Sequence, residues 1–299
     1  MRYSMIDEIP EPIFVVGTGR SGSTVFFDIF AGHPRVAWLS SLANKYPDRL
    51  KLHSKLMRAR GYPLIDGLLG HHFGPSEAYP FWELVCPGFS NPHRDLLAED
   101  VTPISARRVR ESIGRIVNNT RARFLAKITG WPRIRFLHEI FPHALFIEVT
   151  RNPEATASSL LEVPFWDGWR GPPNWRRGPL PADLDALWRQ EGESFVALAA
   201  IEYILIQRAM SQCRDALRPD QIHTVAYSDL CANPVDVFRK VLEFCHLEWS
   251  ARFEKAIDRV RLVNRDEQWR ARLSASQQSV LQRTLVHAQI MPGRQTRSD

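Results

Sequence analysis

Residues 13–24 read IFVVGTGRSGST, and this stretch decides the fold. Its first four residues are apolar and predict a buried strand. The glycine-rich segment 17–22 predicts a tight turn before a helix that begins near Ser23. Glycines let the backbone turn sharply and direct several N–H groups toward one anion, while the helix adds the positive end of its dipole. The stretch therefore predicts a phosphate-binding loop between a strand and a helix.

A nucleoside-triphosphate P-loop is one interpretation of this turn. Such a loop needs two glycines five positions apart, which Gly17 and Gly22 supply, followed at once by Lys and then Ser or Thr. Ser23 stands where that lysine should be. The cation lies inside the loop as Arg20, so the reach to a transferring γ-phosphate is lost, which argues against a kinase or an ATPase.

A dinucleotide-binding turn is a second interpretation, because Gly17, Gly19 and Gly22 match its glycine pattern. That fold also needs an acidic residue at the end of the next strand, about 20 residues on, to hold the ribose. The candidate strand 36–39 ends in Ser40 and Ser41, with no carboxylate. A glycine triplet alone is a weak signal, so this interpretation is disfavoured.

A second candidate phosphate site follows another buried-strand pattern, residues 144–150, which read ALFIEVT. The strand delivers Arg151, and the helical run after Pro153 contains Ser158 and Ser159. A guanidinium group matches a phosphate dianion, and a hydroxyl two turns into the helix can face back toward it. This pattern predicts a second phosphate contact at the end of a strand.

Together the two patterns resemble sulfotransferases that use 3′-phosphoadenosine 5′-phosphosulfate (PAPS). The Arg-Ser-Gly-Ser-Thr turn, followed by an amphipathic helix ending in Gly32-His33-Pro34, resembles the family's 5′-phosphosulfate loop. The resemblance implies that Arg151 and Ser159 clamp the 3′-phosphate of PAPS. It also implies that the 5′-phosphosulfate is held by a set of loop residues: Gly19, Arg20, Ser21, Gly22, Ser23 and Thr24.

Further segments carry the same resemblance. Residues 124–127 look like the family's strand that ends in a lysine, here Lys127, and residues 225–230 look like its Tyr-Glu-Asp-Leu segment, here with Tyr227. Residues 264–269 resemble its closing loop and final helix. The resemblance implies that Lys127 acts beside Arg20 and that Tyr227 contacts the cofactor.

One position departs from the family pattern. Tyrosylprotein-type members carry a catalytic Glu after the His-Pro turn, where this chain has Ser40 and Ser41. The general base is therefore expected elsewhere.

Length and composition predict one domain over residues 1–299. The alternation of strand-like and helical segments predicts an α/β fold with a parallel sheet and helices on both faces. The apolar content of 44% can form a substantial core, and no apolar run approaches 18 residues. The N-terminus resembles neither a signal peptide nor a transit peptide, which predicts a cytoplasmic protein. The four cysteines show no metal-binding spacing, so they are expected to be reduced thiols and no metal is predicted.

The net charge of +6 suits an anionic cofactor. The arginines are spread along the chain, which favours a solvated basic surface and argues against a nucleic-acid groove. Peripheral contact with an anionic membrane stays open, and the sequence does not determine the oligomeric state. The arginine-rich segments are 107–108, 121–123, 133–135 and 176–177.

Two long segments without clear periodicity, 62–93 and 164–181, are rich in aromatic residues and Pro. Long loops in a compact domain are usually functional, so they are expected to form the walls and lid of an acceptor site. The alternative is that their tryptophans only cover the core. The favoured general base is Glu77, with Glu83, His72 and its neighbour His71, and Asp167 as further candidates.

The sequence thus predicts a PAPS-dependent sulfotransferase of EC class 2.8.2. It would transfer a sulfonyl group to a hydroxyl or amine of a small-molecule, carbohydrate or glycolipid acceptor and release adenosine 3′,5′-bisphosphate. Arg20 and Lys127 would neutralise the charge that develops, without a metal. Two alternatives stay open. One is a nucleotide or small-molecule kinase, for whose acidic residue Glu148 is the nearest candidate, although it lies inside its strand. The other is a PAPS-binding protein that has lost catalysis.

Overall fold

The computed structural model describes residues 10–60 and 73–290, with the backbone alone for 287–290. Two residues considered as bases, His71 and His72, lie outside the described residues.

The centre of the fold is a sheet of five parallel strands in the order β2-β3-β1-β4-β5, which confirms the predicted α/β class. In the central strand, Val15 pairs with Lys127 of β3 on one side and with Ile147 of β4 on the other. Every residue of β1 is buried, so both faces of the sheet are covered, as in other parallel sheets. The strands are β1 (Ile13–Gly17), β2 (Val36–Trp38), β3 (Arg123–Thr129), β4 (Leu145–Thr150) and β5 (Ile222–Ala226).

Helices alternate with the strands along most of the chain. In the described residues they are α1 (Ser23–Phe30), α2 (Ser41–Lys45), α3 (Leu50–Ala59), α4 (Tyr79–Val85), α5 (Pro103–Ile116), α6 (Ile134–Ile140), α7 (Pro153–Leu160), α8 (Ala182–Gln190), α9 (Phe195–Arg214), α10 (Tyr227–Ala232), α11 (Pro234–Phe244), α12 (Ala251–Asp258), α13 (Gln268–Arg272) and α14 (Ala275–Ile290). Three short 3-10 turns add Ala98–Asp100, Gly168–Arg170 and Pro219–Gln221.

Helix α4 corrects the expectation that 62–93 is irregular throughout. Pro80 stands in its first turn, where a missing N–H costs no hydrogen bond. Phe81, Trp82 and Val85 are buried, so the helix is stabilised by core packing that a short pattern does not predict. In the second long segment the tryptophans differ in burial: Trp175 is buried in the core, whereas Trp169 is 63% exposed.

The sheet topology positions the site. Because all strands are parallel, their carboxyl ends meet at one edge. There the turn after β1 lies beside the end of β4. The chain leaves β1 toward β2 on one side of the sheet and leaves β4 toward β5 on the other. Ligands of open α/β sheets bind in the crevice at such a switch point.

Three observations concern special sites in the described part of the chain. None of its helices combines the length and the apolarity needed to cross a bilayer. The same residues contain no group of three or more metal-ligand side chains that could hold an ion. The four cysteines, Cys86, Cys213, Cys231 and Cys245, are free thiols.

Candidate functional site

The turn after β1 depends on glycine at two positions. A Cβ atom at Gly17 would lie 2.6 Å from the carbonyl oxygen of Val149 in β4. At Gly22, φ is +87° and a Cβ atom would lie 2.3 Å from a ring carbon of Tyr227. The backbone therefore packs directly against β4 and against the residue that follows β5, which a side chain would prevent.

Arg20 joins this loop to the helix after β4. It adopts a left-handed φ of 71°, and its Nε donates a 2.9 Å hydrogen bond to Oγ of Ser159. Its carbonyl oxygen accepts a 3.1 Å bond from Arg151. The resemblance assigned Arg20 to the 5′-phosphosulfate of the cofactor, and it assigned Arg151 and Ser159 to the 3′-phosphate. The structure brings all three together.

Arg151 is held by the segment that precedes α13. Its Nε donates to Oδ1 of Asp266 at 2.7 Å, and its Nη2 donates to the carbonyl oxygen of Arg265 at 3.0 Å. The guanidinium carbon lies 4.7 Å from the ring centroid of Tyr227, whose hydroxyl donates to the carbonyl of Val263 at 2.8 Å. Burial raises the pKa of that tyrosine to about 12, so it stays a neutral donor at physiological pH.

Sequence reasoning missed Asp266 as a partner of Arg151. The closing segment was located by resemblance, but 115 residues separate the two side chains. No local spacing signals a pair at that separation.

Lys127 lies at the other side of the loop, in β3. Its Nζ donates to Oγ1 of Thr24 at 2.7 Å and forms an ion pair with Oε1 of Glu77 at 2.8 Å. The same carboxylate oxygen accepts a 3.0 Å bond from the hydroxyl of Thr129. A chain of polar contacts thus runs from the phosphate loop through the buried ammonium group to the carboxylate favoured as base.

The other described base candidates make different contacts. Glu83 accepts backbone N–H bonds from Gly88 at 2.7 Å and Ser90 at 2.9 Å, which organise a turn. Its partial burial raises the pKa, but those bonds outweigh that effect and hold the pKa below its ordinary value. Asp167 accepts a 3.1 Å bond from the backbone of Arg176. Of these three carboxylates, Glu77 is the one in contact with Lys127.

A cavity of about 430 Å³ opens at this edge of the sheet. Its lining combines the loop, the clamp around Arg151 and the segment before α13. The residues are Arg20, Gly22, Ser23, Thr24, Val25, Asp28, Arg151, Ser159, Glu162, Tyr227, Val260, Arg261, Leu262, Val263, Arg265, Gln268 and Arg272.

Asp28 is a carboxylate that sequence reasoning also missed. It stands one helical turn after Thr24 in α1 and lines the same cavity. Burial raises the pKa of its carboxyl, and the charge of Lys127 opposes that rise. The signal was available, because residues four apart share one face of a helix.

Two positions bear on the alternatives. The carboxylate of Glu148 pairs with Arg214 of α9. In a kinase, the carboxylate that holds the Mg²⁺ of the nucleotide would have to face the phosphate-binding loop after β1. Ser40, where tyrosylprotein-type members have Glu, accepts the N–H of Leu42 and caps α2.

The second long segment is anchored to α9 by a buried carboxylate, Glu202. Nη2 of Arg177 lies 2.7 Å from Oε1 of Glu202, and the indole N–H of Trp166 donates to its Oε2 at 3.0 Å. Arg176 reaches the same Oε1 atom. Arg177 also donates to the carbonyl of Pro92 at 3.5 Å, so the two long segments touch.

Comparison with known proteins identifies relatives. A family model described as the sulfotransferase family matches residues 12–251. No curated protein matches the sequence significantly. Among solved structures, the fold is similar to that of sulfotransferase STF9 from Mycobacterium avium, with a TM-score of 0.57 and 17% identity over 95% of this chain and 77% of that one. Sulfotransferase STF1 from Mycobacterium tuberculosis has a TM-score of 0.51 and 17% identity over 94% and 77% of the two chains.

Proposed function

Since the chain belongs to the sulfotransferase family, we propose that it transfers a sulfonyl group from PAPS to a hydroxyl or amine of an acceptor. The observation that carries the proposal is the convergence of Arg20, Lys127 and Arg151 at the carboxyl edge of the sheet. Arg20 lies in the loop after β1 and bonds Ser159 of α7, Lys127 donates to Thr24 at the start of α1, and Arg151 donates to the carbonyl oxygen of Arg20. This arrangement provides positive charge at both ends of a doubly phosphorylated nucleotide.

The cavity suits the proposed cofactor. Its volume of about 430 Å³ falls in the range of small-molecule sites, and its lining contains guanidinium groups and hydroxyls. Four residues of the loop and the start of α1 line it: Arg20, Gly22, Ser23 and Thr24. When bound, PAPS supplies the sulfonyl group, and adenosine 3′,5′-bisphosphate is the leaving product.

The residues of the chain would divide this work. Arg20 and the loop residues Gly19, Ser21, Gly22, Ser23 and Thr24 would hold the phosphosulfate end. Lys127, which already donates to Thr24, would neutralise charge on the transferred group and the leaving oxygen. Arg151 and Ser159 would hold the 3′-phosphate, with Tyr227 supporting the guanidinium group.

Glu77 is our proposed general base. Its carboxylate lies 2.8 Å from Nζ of Lys127, which in turn donates to Thr24 at 2.7 Å. A carboxylate beside the cation that would neutralise the transferred group could take the proton of the acceptor. Asp28, which lines the cavity, is the second candidate.

The acceptor would be a small molecule, a carbohydrate or a glycolipid. Residues 73–93 and 164–181 would wall its site, because they meet where Arg177 contacts Pro92. One domain over 1–299, a cytoplasmic location and transfer without a metal stay part of the proposal. A kinase is disfavoured because Glu148, its candidate acidic residue, pairs with Arg214. The other alternative, a PAPS-binding protein without activity, is separated by the experiment below.

The test is incubation with PAPS labelled with ³⁵S or ATP labelled with ³²P at the γ-phosphate, beside a mixture of phenols, sugars and glycolipids. We expect ³⁵S alone to move to an acceptor, and mass spectrometry to find products heavier by one sulfonate. Transfer of ³²P would favour the kinase. Tight binding of adenosine 3′,5′-bisphosphate without transfer to any acceptor would favour the protein that has lost catalysis.

A further inference from the structure

The positive charge of the chain is concentrated in two segments, 45–60 and 103–116. Together they contain ten Lys or Arg and two acidic residues, a formal charge of +8. The whole chain carries +6, so all remaining residues together carry −2. The even spread along the sequence therefore conceals one basic region, which we call the α3–α5 surface.

The two segments are neighbours in space. Helix α3 packs against α5, and Oγ of Ser54 donates a 2.6 Å bond to the carbonyl of Arg115. In α3 the buried residues include His53 and Met57, so the opposite stripe faces solvent. Eight cations of the α3–α5 surface are exposed: Lys45, Arg49, Lys51, Lys55, Arg58, Arg107, Arg108 and Arg115.

These eight cations differ from several other exposed cations in their ion pairing. Within the described residues, none of them forms an ion pair with a carboxylate. Five exposed arginines elsewhere pair with acids: Arg94 with Asp100, Arg189 with Asp185, Arg218 with Asp220, Arg270 with Glu267 and Arg283 with Glu191. Like charges one turn apart on a helix repel, so an unpaired stripe is a cost that an anionic partner removes.

Exposed apolar groups are mixed with the cations. Leu52 is 41% exposed between Lys51 and Lys55. Tyr46 is 38% exposed. Its ring centroid lies 5.3 Å from Nζ of Lys45, and Arg49 packs on the same ring. Clustered Lys and Arg around exposed apolar side chains on a surface helix are typical of contact with anionic lipid headgroups.

We propose that the α3–α5 surface docks the protein on an anionic phospholipid bilayer. The cations would contact lipid phosphates, while Leu52 and the ring of Tyr46 would enter the headgroup layer. Nucleic acid or an anionic polysaccharide would use the cations but gain little from an exposed leucine. This proposal is independent of the transfer reaction.

Docking would also orient the molecule. The backbone N–H of Ser41, at the start of α2, donates to the carbonyl of Gly74 at 2.9 Å, and Ser40 forms a β-bridge with Pro75. The loop that carries Glu77 is therefore attached to the segment leading into the basic surface. A docked molecule holds that loop near the bilayer.

The test is sedimentation of the full chain with vesicles of phosphatidylcholine, with or without one third phosphatidylglycerol. We expect binding only to the anionic vesicles, and binding that weakens as salt rises. The variant Lys51→Glu/Lys55→Glu/Arg58→Glu should bind at least about 100-fold more weakly, because losing each cation costs roughly fivefold and each new carboxylate adds repulsion. The matched control, Arg189→Glu/Arg218→Glu/Lys240→Glu, makes the same charge change elsewhere and should bind like the wild type.

Two additions separate the possible partners and guard against misfolding. Leu52→Gln should weaken vesicle binding about threefold and leave binding to heparin or duplex DNA unchanged. The variant Lys51→Gln/Lys55→Gln/Arg58→Gln removes the same cations without adding negative charge that the lipids would repel. Circular dichroism should show that its fold is intact. The proposal would be overturned if the protein bound neutral and anionic vesicles equally, or if the control variant lost as much vesicle binding as the Lys51/Lys55/Arg58 variant. It would also be overturned if heparin or DNA bound more tightly than anionic vesicles.

Discussion

The loop after β1 and the clamp around Arg151 are held in different ways. The loop takes its shape from consecutive residues, in which Gly17 and Gly22 allow close backbone contacts. The clamp joins Arg151 to Tyr227 and Asp266, which come from distant parts of the chain. In the loop, Arg20 contacts the hydroxyl of Ser159, whereas the Arg151 guanidinium already contacts the carboxylate of Asp266. We therefore expect changes in the loop to act mainly on the transfer step, and changes in the clamp on cofactor affinity.

Arg20→Ala should have the largest effect. If this cation neutralises charge that develops during transfer, kcat should fall about 100- to 1,000-fold while the Kd for adenosine 3′,5′-bisphosphate changes little. Steady-state kinetics and calorimetry measure the two quantities. Arg20→Lys should retain part of the rate, and Arg218→Ala, at an exposed arginine far from the loop, serves as control. A normal kcat in Arg20→Ala would contradict the role of the loop.

Glu77→Gln should lower the transfer rate about 100-fold without weakening cofactor binding, because the amide keeps the shape but cannot take a proton. The loss of rate on acidification should disappear with it. Glu83→Gln is the matched control, because that carboxylate binds the backbone of Gly88 and Ser90. A large loss in Asp28→Asn with a normal rate in Glu77→Gln would move the base to α1.

Arg151→Ala should raise the Kd for PAPS about 30- to 100-fold, which corresponds to 2–3 kcal/mol for a lost charge-assisted contact. Its kcat at saturating PAPS should stay near the wild-type value. Adenosine 5′-phosphosulfate lacks the 3′-phosphate, so its weaker binding should be almost unaffected by the change. Equal affinity of the wild type for both nucleotides would show that the clamp does not read that phosphate.

Gly22→Ala should have the smallest effect and should act on stability. Gly22 and Gly88 have nearly the same φ, +87° and +89°, but a Cβ atom meets Tyr227 only at the first position and open space at the second. Both substitutions strain the backbone by about 1 kcal/mol. Gly22→Ala adds a clash and should lower the free energy of unfolding by about 1–2 kcal/mol more. Thermal melts compare the pair, and equal melting temperatures would remove the packing argument.

Sequence patterns were informative wherever the information was local. Apolar runs predict the buried strands at 13–16 and 144–150, and glycine positions predict the turn between the first strand and the first helix. The α/β class follows from the order of these elements. Helix α4 was missed because it is short and stabilised by the burial of Trp82 rather than by periodicity. Asp28 could have been found from its spacing to Thr24, since both lie on one face of α1.

By itself, then, the sequence determined the parallel α/β fold, the glycine loop and the strand end that presents Arg151, because backbone conformation depends on neighbouring residues. Only the tertiary structure decided which side chains meet. It joined Arg20 to Ser159, Lys127 to Glu77 and Arg151 to Asp266, and it gathered eight cations onto the α3–α5 surface. Electrostatic interactions act through space with a reach of several ångströms, so they depend on how the helices pack and not on separation along the chain.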